Sequence, residues 1–307
     1  MSHSRPHVRA LHWVAVWLLL GAFAPFAPAH AQADEAWVPG KGHGSISFAY
    51  QDLYVQYHTN WRGWRGKPGV IDNHALLLGF EYGLTDRLAV NVNLPYRNIR
   101  YRGSLHNDIE GDHDENTLDD GDYHSGWADV GLGLRYQWRD EPWAITPYVV
   151  FGTPMREYAT YAHSAPGSGQ SRLELGVNVG RAFGNLYLHG SLGYAFMEVV
   201  DDRRVDHAAL TVGADYFVTP MLTARVGVTA NKTFNGLDFP IDYPSFADEH
   251  FFHHDQNLRN DFVNVGVGLN YQLGDRYEVF ANYGWSVWGE NTHLVDNVAT
   301  VGMARSF

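Results

Sequence analysis

Beyond residue 45, apolar and polar residues alternate almost one for one, and short runs of turn-forming residues interrupt the alternation. Leu76, Leu78, Phe80 and Tyr82 alternate with Ala75, Leu77, Gly79 and Glu81; after Leu84-Thr85-Asp86-Arg87, Leu88, Val90, Val92 and Leu94 alternate with Ala89, Asn91 and Asn93. A two-residue period on both sides of a turn predicts an antiparallel hairpin with one apolar and one polar face. The unit recurs at residues 133–150 around Arg139-Asp140-Glu141-Pro142, at 213–230 around Thr219-Pro220, and at 268–285 around Gly274-Asp275-Arg276. A weaker copy turns at Phe183-Gly184-Asn185.

Read in order, the pattern predicts about twelve strands whose connections alternate long and short, starting with a long loop after the first strand. That first strand, residues 45–57, is expected to slip phase near Gln51, so that Ile46, Phe48 and Tyr50 hand the apolar face to Leu53, Val55 and Tyr57. Short turns at one end and long loops at the other, with an even strand number, predict a transmembrane antiparallel up-and-down β-barrel with both chain ends on the turn side. Residues 45–307 form the predicted barrel and residues 32–44 a periplasmic leader, of which Asp34 to Gly44, with Pro39, Gly40 and Gly42, reads as exposed.

Composition agrees with a wall that meets lipid on alternate residues only. The mean hydropathy is slightly polar, at -0.30, and no apolar run after residue 31 reaches the length of a membrane helix. Aromatic residues nevertheless make up 14% of the chain. They fall where two interfacial girdles should lie: Tyr82, Tyr136, Trp138, Trp143, Tyr216, Tyr271 and Tyr277 near the short turns, and Tyr96, Tyr101, Phe196, Trp285 and Trp288 near the long loops.

Residues 1–31 read as a cleaved export signal, with Arg5 and Arg9 before an apolar stretch from Leu11 to Phe26 and cleavage after Ala31 or Ala33. The expected location is therefore the outer membrane of a Gram-negative bacterium. The net charge of -12 becomes -14 once Arg5 and Arg9 leave with the signal, which excludes a nucleic-acid binder because that function needs a basic surface. The absence of cysteine excludes disulfides, thiolate metal sites and cysteine nucleophiles.

The run Tyr82-Gly83-Leu84-Thr85-Asp86-Arg87-Leu88, followed by Leu94-Pro95-Tyr96, resembles the signature of outer-membrane transporters named after the meta-pathway of phenol degradation. A looser echo lies at Tyr216 to Leu222, and the last residue is Phe307. The resemblance implies an outer-membrane channel. It also implies that Phe307 is read by the barrel-assembly machinery, although Arg305 departs from the aromatic or apolar residue usual at that place.

Chemistry is then expected on the inner face. Glu81, Asp129, Arg135, Glu174, Asp215, Arg225 and Glu278 are the predicted lumen charges, interspersed with Asn91, Asn93, Asn178, Asn231, Asn264, Asn270 and Asn282. Gly131, Gly133, Gly176, Gly213, Gly227, Gly266 and Gly268 lie between them. Charges of both signs in a confined space should pair, and Glu81, Arg135, Asp215 and Glu278, each near a short turn, are expected to form a charged constriction at the periplasmic mouth. The loops hold two patches of carboxylates and histidines, from which Asp112, Asp114, His250, His253 and His254 are the candidate metal ligands. A calcium loop beginning at Asp112, Asp114 and Asn116 fails, because Thr117 and Tyr123 stand where glycine and glutamate are required.

No nucleophile with a base and an orienting acid can be assembled. His124 and Ser125 are neighbours on a strand and point to opposite faces, with Asp129 nearby, so an enzyme is not expected. No cofactor is expected either. The sequence thus predicts a channel or uptake pore for small molecules, aromatic or otherwise hydrophobic compounds among them. The alternative is a non-conducting surface barrel that contacts cations, lipopolysaccharide or a partner.

Overall fold

The computed structural model describes residues 36–103, 119–158, 163–242 and 253–307. The export signal and its cleavage point, and with them Asp112, Asp114 and His250, lie outside the described residues.

The strands are β1 (Gly44–Thr59), β2 (Arg65–Gly66), β3 (Gly69–Gly83), β4 (Leu88–Gly103), β5 (His124–Trp127), β6 (Asp129–Tyr136) and β7 (Ala144–Pro154). They continue as β8 (Arg172–Phe183), β9 (Leu186–Met197), β10 (His207–Phe217) and β11 (Leu222–Thr233). A single helical turn, α1 (His254–Asn257), precedes β12 (Asp261–Leu273), β13 (Tyr277–Glu290) and β14 (His293–Ser306). The strands follow one another in antiparallel order, and β14 pairs with β1 from Ser45↔Ser306 to His58↔His293, which closes the ring. With β5 and β6 taken as halves of one interrupted strand and the two-residue β2 set aside, the wall is a closed twelve-stranded barrel.

The interruption has a local cause. β4 pairs with β6 as far as Asn93↔Gly131 and with β5 from Tyr96↔Trp127, and Pro95 falls between. Proline has no N–H to give to the ladder, and its carbonyl bridges the gap by accepting from the Ala128 N–H at 2.9 Å.

All five predicted short turns lie at one end, where the two termini of the barrel also meet. Two of them share a device. Thr85 Oγ1 accepts from the Leu88 N–H, and Thr219 Oγ1 from the Leu222 N–H, each at 2.9 Å, so the threonine in the repeated motif holds its turn shut. The strict alternation of long and short connections fails at the last one. β13 and β14 run to the loop end and are joined by Asn291 and Thr292 alone, with Asn291 at φ 49.

Apolar residues face outward around the ring, as in Leu132 (48% exposed), Val212 (53%), Leu269 (53%) and Val301 (54%). Such a ring suits hydrocarbon, because closure pairs the backbone of each strand with both neighbours and leaves no open edge. Among the described residues no helix is long and apolar enough to cross a membrane; the strands form the wall.

Two expectations are corrected here. β1 keeps one phase through Gln51: Ser45, Ser47, Ala49, Gln51, Leu53 and Val55 all face inward, while Ile46, Phe48 and Tyr50 face outward. The register shifts against β14 come later, between Tyr54 and Tyr57. Leu53 and Val55 are apolar because they join Ile71, Ile99, Tyr101, Val295 and Val298 in a buried cluster inside the barrel near its loop end. Tyr101 is thereby removed from the outer girdle, being fully buried.

Candidate functional site: the barrel interior and its two mouths

The predicted lumen residues occupy the inward positions of their strands: Glu81, Asn91, Asn93, Asp129, Arg135, Glu174, Asn178, Asp215, Arg225, Asn231, Asn264, Asn270, Glu278 and Asn282. Their charges have partners. Arg135 on β6 makes an ion pair with Glu81 on β3. Arg225 Nε donates to Asp215 Oδ1 at 2.7 Å, and His189 Nε2 lies 3.2 Å from the other oxygen of Asp215. Glu278 accepts from the Asn270 amide at 3.1 Å, and Glu174 from the Tyr148 hydroxyl at 2.7 Å. In the strand order, β3 and β6 stand across the ring from β10 and β11, so the two ion pairs lie on opposite walls.

The glycines do two different things. Some make room for a neighbour: a Cβ on Gly133 would strike Asn91 at 2.3 Å, one on Gly176 the Tyr148 ring at 2.3 Å, and one on Gly213 the His189 ring at 2.3 Å. These positions are filled by long polar side chains from adjacent strands. Gly227 is different, since a Cβ there would meet nothing closer than the Val212 carbonyl at 3.7 Å. Gly213, Gly227, Gly266 and Gly284 are successive cross-strand partners on β10 to β13, a row of four without side chains of their own, of which Gly213 is covered by His189.

At the turn end, residues 36–38 are docked against the wall, which corrects the reading of Asp34 to Gly44 as exposed throughout. Ala36 is buried. Its carbonyl accepts from Thr146 Oγ1 at 2.6 Å and from Gln137 Nε2 at 2.9 Å, while Gln137 Oε1 accepts from the Val38 N–H at 3.0 Å. Trp37 packs edge-on against Tyr187 at 5.7 Å. Backbone bonds between Gly83 and both Gly42 and His43 then lead the chain into β1.

At the loop end, Asp129 accepts from the Tyr158 and Ser168 hydroxyls. Burial first, and then the Asp129 carboxylate, push the Tyr158 phenol well above the usual range. His124 bonds to Asp120 at 2.9 Å, and Ser125 Oγ donates to Asn98 at 2.7 Å. That hydrogen bond from His124, followed by one from the Asp122 N–H, holds the Asp120 carboxyl below its ordinary value. His124, Ser125 and Asp129 thus each have separate partners.

A cavity of about 490 Å³ opens among the loops, lined by His58, Trp64, Lys67, His163, His254, Asp255 and His293 among others. Two of the candidate metal ligands fall among the described residues. His254 lines this cavity, whereas His253 bonds to Gln256 at 2.8 Å.

The predicted site omits His189, Tyr148, Gln137 and Arg172, all on the inner wall. Inward parity was the signal that could have found them, on β9, β7 and β8 and, for Gln137, one residue past the end of β6. It also omits His58, His163 and His293, which no local signal connects, because they come together only when the ring closes.

The fold has solved counterparts. The COG4313 outer membrane channel from Pseudomonas putida F1 is similar at a TM-score of 0.67 and 15% identity, over 90% of this chain and 98% of that one. The NanC porin matches at 0.50 and 11%, over 84% and 98%. The β domain of the Bordetella autotransporter BrkA matches at 0.50 and 11%, over 87% and 100%. At these identities the likeness is one of fold, that of an outer-membrane β-barrel. No curated protein matches in sequence. The family model described as "Putative MetA-pathway of phenol degradation" matches residues 67–299, most of the barrel, and the chain belongs to that family.

Proposed function

We propose that the protein is a passive outer-membrane channel for small solutes, with its turn end in the periplasm and its loop end outside. The observation that carries this reading is the glycine row Gly227, Gly266 and Gly284 on the inner wall, with room for a side chain at Gly227. A polar inner wall with compensated charges inside an apolar outer ring supports it, since a passage must offer partners to a solute without trapping it. In this reading Glu81–Arg135 and Asp215–Arg225 narrow the periplasmic end from opposite walls, with Glu278 beside them. The solute class is small and amphipathic, and the family's description points to aromatic compounds within it.

The docking of Ala36 to Val38 in the turn-end mouth favours a second reading, a sealed barrel that contacts cations, lipopolysaccharide or a partner. Planar-bilayer recording of the refolded chain separates the two. Steady single-channel steps are expected; silence across pH and voltage would leave the sealed barrel.

A further inference from the structure

We propose that His58, His163 and His293 bind one divalent cation of the zinc type at the loop end of the barrel. One ring nitrogen from each lies within 4.8 Å of those of the other two. The ring centroids are 4.1 Å apart for His58 and His293, and 5.0 Å from His163 to each. A tetrahedral zinc site, with metal–nitrogen bonds of about 2.0–2.1 Å, sets its nitrogens roughly 3.4 Å apart. The nitrogens therefore close by at most roughly 1.4 Å, which small side-chain rotations supply.

Two features hold the rings in place. His58 and His293 are direct cross-strand partners on β1 and β14, so the ladder that closes the barrel sets their spacing. His163 is held by Asp119, a buried carboxylate 3.0 Å from its Nδ1 that also accepts from the backbone N–H groups of His163 and Ser164, each at 3.0 Å. A carboxylate only accepts. Nδ1 therefore carries the proton, and Nε2 becomes the ligating atom, the carboxylate–histidine arrangement that orients metal ligands. His254, its ring 5.5 Å from His163, and Asp255 line the same cavity, where they or water can supply a fourth ligand.

Imidazole donors select zinc, copper or nickel over calcium and magnesium, which require oxygen. A bound ion would tie the β7–β8 loop to the closing seam, whether or not the lumen conducts.

The test is calorimetric titration of the refolded, chelator-treated full chain with zinc chloride, with magnesium and calcium chloride in parallel. One zinc per chain is expected, with no response to the other two ions. His163→Ala and the double variant His58→Ala/His293→Ala should each abolish binding, and Asp119→Asn should weaken it about 10- to 100-fold. His124→Ala, outside the cluster, should bind as the unmodified chain does. Heat-modifiable gel mobility confirms that each variant has folded, and His58→Gln serves if His163→Ala does not. Undiminished zinc binding by a folded His58→Gln or double variant, or no saturable binding by the unmodified chain, would overturn the proposal.

Discussion

Gln137 clamps the backbone at Ala36: its amide nitrogen donates to the Ala36 carbonyl at 2.9 Å, while its oxygen takes the Val38 N–H at 3.0 Å. The segment before β1 is thereby held in the turn-end mouth by a side chain that points inward from the wall.

Gln137→Ala removes both bonds, each worth about 0.5–1.5 kcal/mol net. Gly83→Ala should release the same segment by another route, since its Cβ would lie 2.3 Å from the Gly40 carbonyl and 2.5 Å from that of Pro39. Both variants are expected to raise conductance or open probability in planar bilayers and, through Trp37, to increase quenching of the tryptophan fluorescence by a soluble quencher. Unchanged currents and quenching would show that the segment does not block the mouth.

Arg135 is almost wholly buried beside Glu81. Arg135→Ala leaves the half-buried Glu81 carboxylate without its cation, at a cost of up to about 3–5 kcal/mol, and it should shift ion preference if the pair lines the passage. Adding Glu81→Gln should recover much of the stability. Urea unfolding in detergent measures the first effect, and reversal potentials measure the second.

A Cβ on Gly227, on the inner face of β11, would meet nothing closer than the Val212 carbonyl at 3.7 Å. Gly227→Leu should fold with normal heat-modifiable mobility yet conduct less than the unmodified chain. Full conductance in the folded variant would place the passage along another wall.

Phe307 closes the seam at the turn end. Its N–H donates to the Gly44 carbonyl and its carbonyl accepts from the Gly44 N–H, both at 3.0 Å, and its ring stacks on Phe80 and Tyr82 at 6.4 Å. Phe307→Ala forfeits two aromatic contacts of about 0.5–1.5 kcal/mol each. It is expected to lower the temperature at which the folded band is lost on gels; an unchanged transition would show that these contacts do not stabilise the seam.

The spacing of short turns and long loops determined the antiparallel barrel, and alternation the inward set from Glu81 to Asn282, because side-chain direction in a strand depends only on parity. The same logic was misapplied to β1. Leu53 and Val55 look lipid-facing by composition, but parity sends them inward, where Ile71, Ile99 and Val295 make an apolar neighbourhood that composition cannot show. The tertiary structure alone decided that Gln137 meets Ala36, that Gly133 and Gly176 house Asn91 and Tyr148 while Gly227 stays open, and that His58, His163 and His293 converge. His58 and His293 meet because β14 pairs with β1, which joins residues more than two hundred positions apart; the glycine pockets depend on how far a side chain reaches toward its directly paired strand, which parity does not fix.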